Sequence, residues 1–140
     1  MKVVILICTC RGAGPSMEKI DFWELADRIP FELQYDYMLL HPKLCEEDGE
    51  ALMGDLIKPD TVYITLACDV KKQAKLLANG FARAKVPMDS EHWFPISMAL
   101  KNTEQVFEEV EAVIGKLEGT EYERNLHGHH SRKNTMATND

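Results

Sequence analysis

The sequence predicts an α/β fold: one doubly wound domain with a mainly parallel four-stranded sheet and helices on both faces. Three observations predict it. Two short runs, the unbroken apolar residues 3–8 and the β-branched-rich residues 61–67, have the composition of strands buried on both faces. Strand-like runs alternate with helix-period segments in the order β-α-β-α-β-α-β-α, which calls for parallel strands joined by crossover helices. The 140 residues suit a single core, and no repeat period suggests a solenoid.

The first strand ends at Cys8-Thr9-Cys10, and the glycine-rich turn RGAGPS follows. Ser16 can cap the next helix. Phe22, Leu25, Ala26 and Ile29 fall on one helical face, and Pro30 closes that segment. Phe31 to Leu40, rich in aromatics, reads as the second strand. His41-Pro42-Lys43 breaks it. A helix follows from about Glu46 to Ile57, its acidic first turn matching the positive end of the helix dipole. Gly49 and Gly54 count against that helix, because glycine costs about 1 kcal/mol in a helix interior.

Lys58-Pro59-Asp60 is a turn into the third strand, Thr61 to Ala67. Cys68 stands at its end, and Asp69 can cap a helix from Val70 to Lys85 with Ala74, Leu77, Ala78 and Phe81 on its apolar side. Trp93 to Met98 is a short fourth strand. Pro95 within it marks an edge position. Asn102 or Thr103 caps a last helix striped by Val106, Val110, Val113, Ile114 and Leu117. Phe107 and Met98 read as core. Residues 1–117 form the expected domain, and residues 118–140 read as a disordered polar tail.

Charge and hydropathy remove whole classes of function. Acidic residues outnumber basic ones, 23 to 16, whereas a nucleic-acid binder needs a basic footprint. No run approaches the ~20 apolar residues of a membrane span. The first apolar run lacks a small-residue cleavage site, so it does not read as a signal peptide. A cytoplasmic protein is expected.

The chain has four cysteines, Cys8, Cys10, Cys45 and Cys68. In a reducing compartment these are not expected to form structural disulfides. Open α/β sheets bind ligands at the carboxyl ends of their strands. Cys8 and Cys10 end the first strand, Cys68 follows the third, and Cys45 lies in the loop after the second. All four are therefore expected on one rim. Helix N-termini on that rim, with Arg11, Lys71 and Lys72, favour thiolate over thiol; Glu46, Glu47 and Asp48 oppose it.

Four thiolates can complete an iron–sulfur cluster or a tetrahedral zinc site. The spacing C-x-C-x34-C-x22-C is neither a pair of zinc knuckles nor a ferredoxin pattern. A buried cysteine is also often only a small apolar residue, and Cys8 with Cys10 could cycle as a thiol–disulfide pair. RGAGPS could cradle a phosphate, but it lacks the dinucleotide and P-loop patterns, so a tight turn is the simpler reading. His41 could replace a cysteine as ligand, but four cysteines make it a loop residue. His92 and Trp93 open the fourth strand on the opposite rim, as packing. His127, His129 and His130 can pick up a metal in a solvated tail.

Three blocks, ICTCRG, LCEEDGEALMGDLI and VYITLACDVKKQAKLL, resemble the N-terminal iron–sulfur domain of the flavin-bearing subunit of heterodisulfide reductase, over roughly residues 2–85. That resemblance implies a [4Fe-4S] cluster held by Cys8, Cys10, Cys45 and Cys68. KVPMDSEHWFPISMALKNTEQVFEEVEAVI is similar to the end of the delta subunit of methyl-viologen-reducing hydrogenase. That family is associated with a [2Fe-2S] cluster and feeds electrons to heterodisulfide reductase. Both relatives imply electron transfer in an anaerobic, flavin-linked complex, with flavin- or iron–sulfur-containing subunits as partners.

The delta subunit's later cysteine block is absent, replaced by CDVKKQAKLL. The reductase subunit's flavin-binding domain has no counterpart, so a stand-alone cluster domain is expected. No acid–base or nucleophile–base pair stands out, and independent catalysis is not expected. A thiol–disulfide redox protein and a zinc-binding structural module remain the alternatives. A homo-oligomer is compatible with all of them.

Overall fold

Short, mostly apolar runs form strands, and the segments between them form helices, in a computed structural model that describes residues 2–10 and 15–128. In order, these are β1 (Lys2–Cys8), a 3-10 turn (Pro15–Met17), α1 (Phe22–Glu32), β2 (Tyr37–His41), α2 (Glu47–Leu56) and β3 (Thr61–Ala67). Then come α3 (Val70–Leu76), α4 (Ala78–Ala84), β4 (Trp93–Ser97) and α5 (Thr103–Gly128). The four strands form one parallel sheet in the order β2-β1-β3-β4. β1 and β3 are the central pair, as their continuous apolar sequences require.

Side chains alternate across the sheet, which sorts the core into two layers. Ile5, Ile7, Ile64, Leu66 and Ile96 pack with Leu25 and Ile29 of α1 and with Val106, Val110 and Ile114 of α5. Val4, Leu6, Cys8 and Tyr63 pack on the other face with Met53 of α2 and Phe81 of α4. Helices therefore cover both faces. Trp93 belongs to the second layer, its ring edge-on to Phe81 at 6.5 Å.

The two glycines that count against α2 have a packing reason. A Cβ on Gly49 would meet the backbone of Leu44 at 2.4 Å, and one on Gly54 would press on Arg83 at 3.1 Å. Gly80 of α4 lies against Met53, where a Cβ would come within 2.7 Å. Helix α2 thus sits close between its own entry loop and α4: at Gly49 and Gly80 a Cβ would force something to shift, and at Gly54 it would make a tight contact.

Several boundaries differ from the sequence expectation. Ser16 does not cap α1; it lies in the 3-10 turn, and Asp21 is the cap, its carboxylate accepting from Glu24 N–H at 3.0 Å. Pro30 does not close α1, which runs on to Glu32. Proline's φ is already helical and it forfeits only one donor, while buried Ile29 anchors the turn and accepts from Leu33 N–H. The second strand therefore starts at Tyr37 rather than Phe31, which ends up 90% exposed on α1.

The expected helix from Val70 to Lys85 is two helices, broken at Leu77. Its inner stripe is Gln73, Leu77, Gly80 and Phe81, while Ala74 and Ala78 are exposed. Finally, α5 continues past Leu117 to Gly128, so residues 118–128 are helical where a disordered tail was expected. Glu, Arg and Leu there favour helix although the apolar stripe has ended. Residues 129–140, with His129 and His130, lie outside the described residues, as do Arg11 and the Gly12 and Gly14 turn.

Candidate functional site at the carboxyl rim of the sheet

The strand order reverses between β1 and β3: the chain leaves β1 for β2 on one side, then crosses to β3 on the other. Such a switch point leaves an open crevice beyond the carboxyl ends of the two strands. Cys8 is the last residue of β1 and Cys68 is the first after β3, so both flank that crevice. Cys45 precedes Glu46, the cap residue of α2. Cys10 has φ 53°, a left-handed turn that folds the chain back after β1.

The four thiols, all free, line one cavity of about 360 Å³. Met17, Ala67, Leu76 and Leu77 give it apolar walls, and Lys43, Lys72 and Gln73 are its polar neighbours. Cys8 is buried, and the other three are half-buried. Among the described residues, no three His, Cys, Asp or Glu side chains converge on a point that one ion could fill.

Cys8 is the electrostatic centre. Its Sγ accepts from Leu44 N–H at 3.4 Å and from Cys10 N–H. Its own S–H points toward Pro42 O at 3.9 Å, a weak contact. Burial pushes the Cys8 thiol above its ordinary range; the two amide donors pull it back, and Cys10 and Cys45 push it up again. Burial likewise raises Cys68, with its own amide and Lys72 opposing and Cys8 and Asp69 adding to the rise.

These shifts set a pH dependence for the metal-free chain. A thiol raised in the folded state keeps its proton where the unfolded chain has lost it. Its stabilising contribution is whole below the unfolded thiol value, about 8.5, and is lost as pH rises through the folded value. The urea midpoint of metal-free protein is therefore expected to fall from about pH 8 to 9.5, below the range where the raised Tyr63 phenol adds a similar loss. Denaturation of a Cys8→Ala, Cys68→Ala double variant over the same range should show a flatter profile. An equal slope would remove the thiols as its cause.

Of the basic residues expected to favour thiolate, Lys72 lines the cavity and Lys71 does not. Lys43, which the sequence reading passed over, lines it too, from the loop that carries Cys45. Two of the three expected helix N-termini contribute less than expected, while α2 does begin beside Cys45. Asp69 takes up Lys72 N–H at 3.1 Å at the start of α3, and α1 starts at Phe22 rather than beside Cys10. His41 is turned away: its Nδ1 accepts from Lys43 N–H at 2.9 Å, and it borders a separate hollow with Thr9 and Trp23. His92 sits on the opposite rim between Asp89 (2.7 Å) and Pro59 O (3.2 Å).

Gln73 is the other residue the sequence reading missed. Fully buried, it accepts from Thr65 Oγ1 at 2.6 Å and donates to Cys68 O at 2.7 Å and Ile96 O at 3.0 Å. It thereby pins the backbone of Cys68 to the ends of β3 and β4. Trp93 Nε1 donates to the same Thr65 hydroxyl at 2.8 Å.

A larger hollow of about 670 Å³ lies at the amino end of the sheet, among Asp60, Ser90, Glu91 and His92. It contains no cysteine, and it lies at the end of the sheet opposite to that where open parallel sheets bind ligands. No helix among the described residues is long and apolar enough to cross a membrane. In comparison with known proteins, no family model, no curated protein and no solved structure matches this chain.

Proposed function

We propose that this protein is an iron–sulfur electron-transfer domain whose cluster is held by Cys8, Cys10, Cys45 and Cys68. One observation carries the reading: four cysteines from three separate loops line a single cavity at the switch point of the sheet. Packing alone gives no reason for thiols to collect there. The resemblance of the three cysteine-bearing blocks to the iron–sulfur domain of heterodisulfide reductase supports a [4Fe-4S] cluster.

The preference for a cluster over a single zinc ion rests on the spacing C-x-C-x34-C-x22-C, which is not a pair of zinc knuckles, and on the resemblance of the three blocks. When bound, a cluster accepts and releases one electron. The chain supplies the rest. Leu44 and Cys10 amides donate to the Cys8 sulfur, an arrangement that stabilises negative charge on it. Lys43 and Lys72 bring positive charge to the cavity wall. Met17, Leu76 and Leu77 limit water there, which raises the weight of each of these interactions. Flavin- or iron–sulfur-containing subunits of a heterodisulfide reductase or hydrogenase complex are the partners this reading names.

The test is iron, sulfide and zinc analysis of protein purified without oxygen, with its visible spectrum. About four iron and four sulfide per chain, with a broad band that bleaches on reduction, is the expected result. About two of each would assign a [2Fe-2S] centre. One zinc and no colour, or no metal with activity lost only on changing Cys8 or Cys10, would overturn the reading. Serine at any one of the four positions is expected to lower iron content and change the spectrum.

A further inference from the structure

The sheet has two edges, and only one is protected. On β4, Met98 N–H donates to Ala67 O, so alternate residues face β3 and Pro95 turns outward. A proline there offers no donor to an incoming strand. On β2, Cys8 is in register with His41 and Thr9 N–H donates to His41 O. Tyr37, Leu39 and His41 therefore face β1, and Met38 and Leu40 turn their N–H and C=O groups outward. The edge reads Tyr-Met-Leu-Leu-His, without proline or lysine, and none of its residues is buried. Among the described elements, β1 alone makes an extensive contact with it.

We infer that β2 pairs antiparallel with β2 of a second copy of this chain, about a twofold axis at Leu39, to make one eight-stranded sheet. The outward groups fix that register. With Leu39 opposite Leu39 of the second copy, each Met38 faces a Leu40, and the two pairs exchange four backbone hydrogen bonds. One step toward the amino end brings Leu40 opposite Asp36, whose N–H is already spent on Val3 O at 2.8 Å. One step the other way brings Met38 opposite Pro42, which has no N–H.

Charge favours the same partner. Asp36 precedes the strand and Lys43 follows it, so antiparallel pairing brings Asp36 of each copy toward Lys43 of the other, in competition with Glu46, which Lys43 already meets at 3.9 Å. The paired residues 37–40 carry no charge, so the seam adds no local repulsion to that between two chains of net charge −7. A hollow of about 320 Å³, bordered by Leu40, Pro42 and the largely exposed Trp23, opens beside this edge and gives it an apolar flank. The two cysteine cavities lie at opposite ends of the joined sheet, so pairing leaves both open to other partners.

Sedimentation of the full chain over a dilution series, with residue-resolved amide exchange on the same samples, tests this. The expected result is a mass that doubles with concentration. The amides of Met38 and Leu40 should exchange at least about tenfold more slowly in the concentrated sample, while those of Tyr37 and Leu39 stay protected throughout. Met38→Pro, which removes only an outward donor from the backbone, should sediment as monomer. If that variant fails to fold, exchange in the unmodified chain decides. A monomer at every concentration with freely exchanging Met38 and Leu40 would overturn the inference and leave the edge for a strand of another protein. A dimer in which those two amides exchange freely would overturn it as well.

Discussion

Replacing Gly49 by alanine is expected to destabilise the fold by about 3 kcal/mol and, on the proposed cluster reading, to lower the iron content as well. The new Cβ would lie 2.4 Å from Leu44 O and 2.5 Å from Leu44 Cα. Both are backbone atoms, and no rotamer change can move them aside. The loop must shift, and it is the loop that carries Cys45 and the Leu44 amide donated to Cys8. Urea denaturation would report the first effect, and iron content per folded chain the second. Gly115→Ala is the matched control, since a Cβ there meets nothing within 4 Å. It should stabilise by about 0.5–1 kcal/mol. Equal midpoints for Gly49→Ala and Gly115→Ala would show that the close approach at Leu44 relaxes without cost.

Gln73→Leu is the second large effect, expected at about 3 kcal/mol. Leucine fills a similar space but leaves Cys68 O and Ile96 O without the donor they share, in a buried position, and removes the acceptor of Thr65 Oγ1. An unpaired buried polar group costs about 1–3 kcal/mol. Adding Thr65→Val to Gln73→Leu should recover part of the loss, although Trp93 Nε1 then loses its acceptor too. A double-mutant cycle measures that coupling. Strictly additive losses would mean that the side chains act independently. Because Gln73 holds the Cys68 carbonyl, the single variant should also lower iron content on the proposed cluster reading.

What could be read from the sequence was whatever burial writes into composition. Residues 61–67 are buried throughout, and a strand covered on both faces is apolar except where a hydroxyl finds a partner, as at Thr61 and Thr65; its bounds were legible to the residue. The grouping of the cysteines was legible too, because a parallel sheet fixes which strand ends share a rim. Failures came where one residue served two rules. Phe31 looked like a strand residue because it is aromatic, yet it is an exposed end of α1. Gln73 is polar and drew no notice in the sequence, yet it occupies the core with every hydrogen bond met. The break at Leu77 left no mark because Gln73, Leu77, Gly80 and Phe81 keep helical spacing across it. Gly49 and Gly54 argued against a helix locally, but their reason is close contact with Leu44 and Arg83 that only the folded chain reveals.

Thiols contributed by three loops have a consequence for how such a protein is made. Apart from Cys8 and Cys10, no two of them are neighbours in sequence, and they meet only when β1, β2 and β3 are paired. On the proposed reading, an unfolded chain would offer a cluster only the Cys8 and Cys10 pair, and the full donor set would exist only once the three strands are paired. Loading the inorganic core would then depend on long-range strand pairing, so any change that slows assembly of the sheet should also slow maturation.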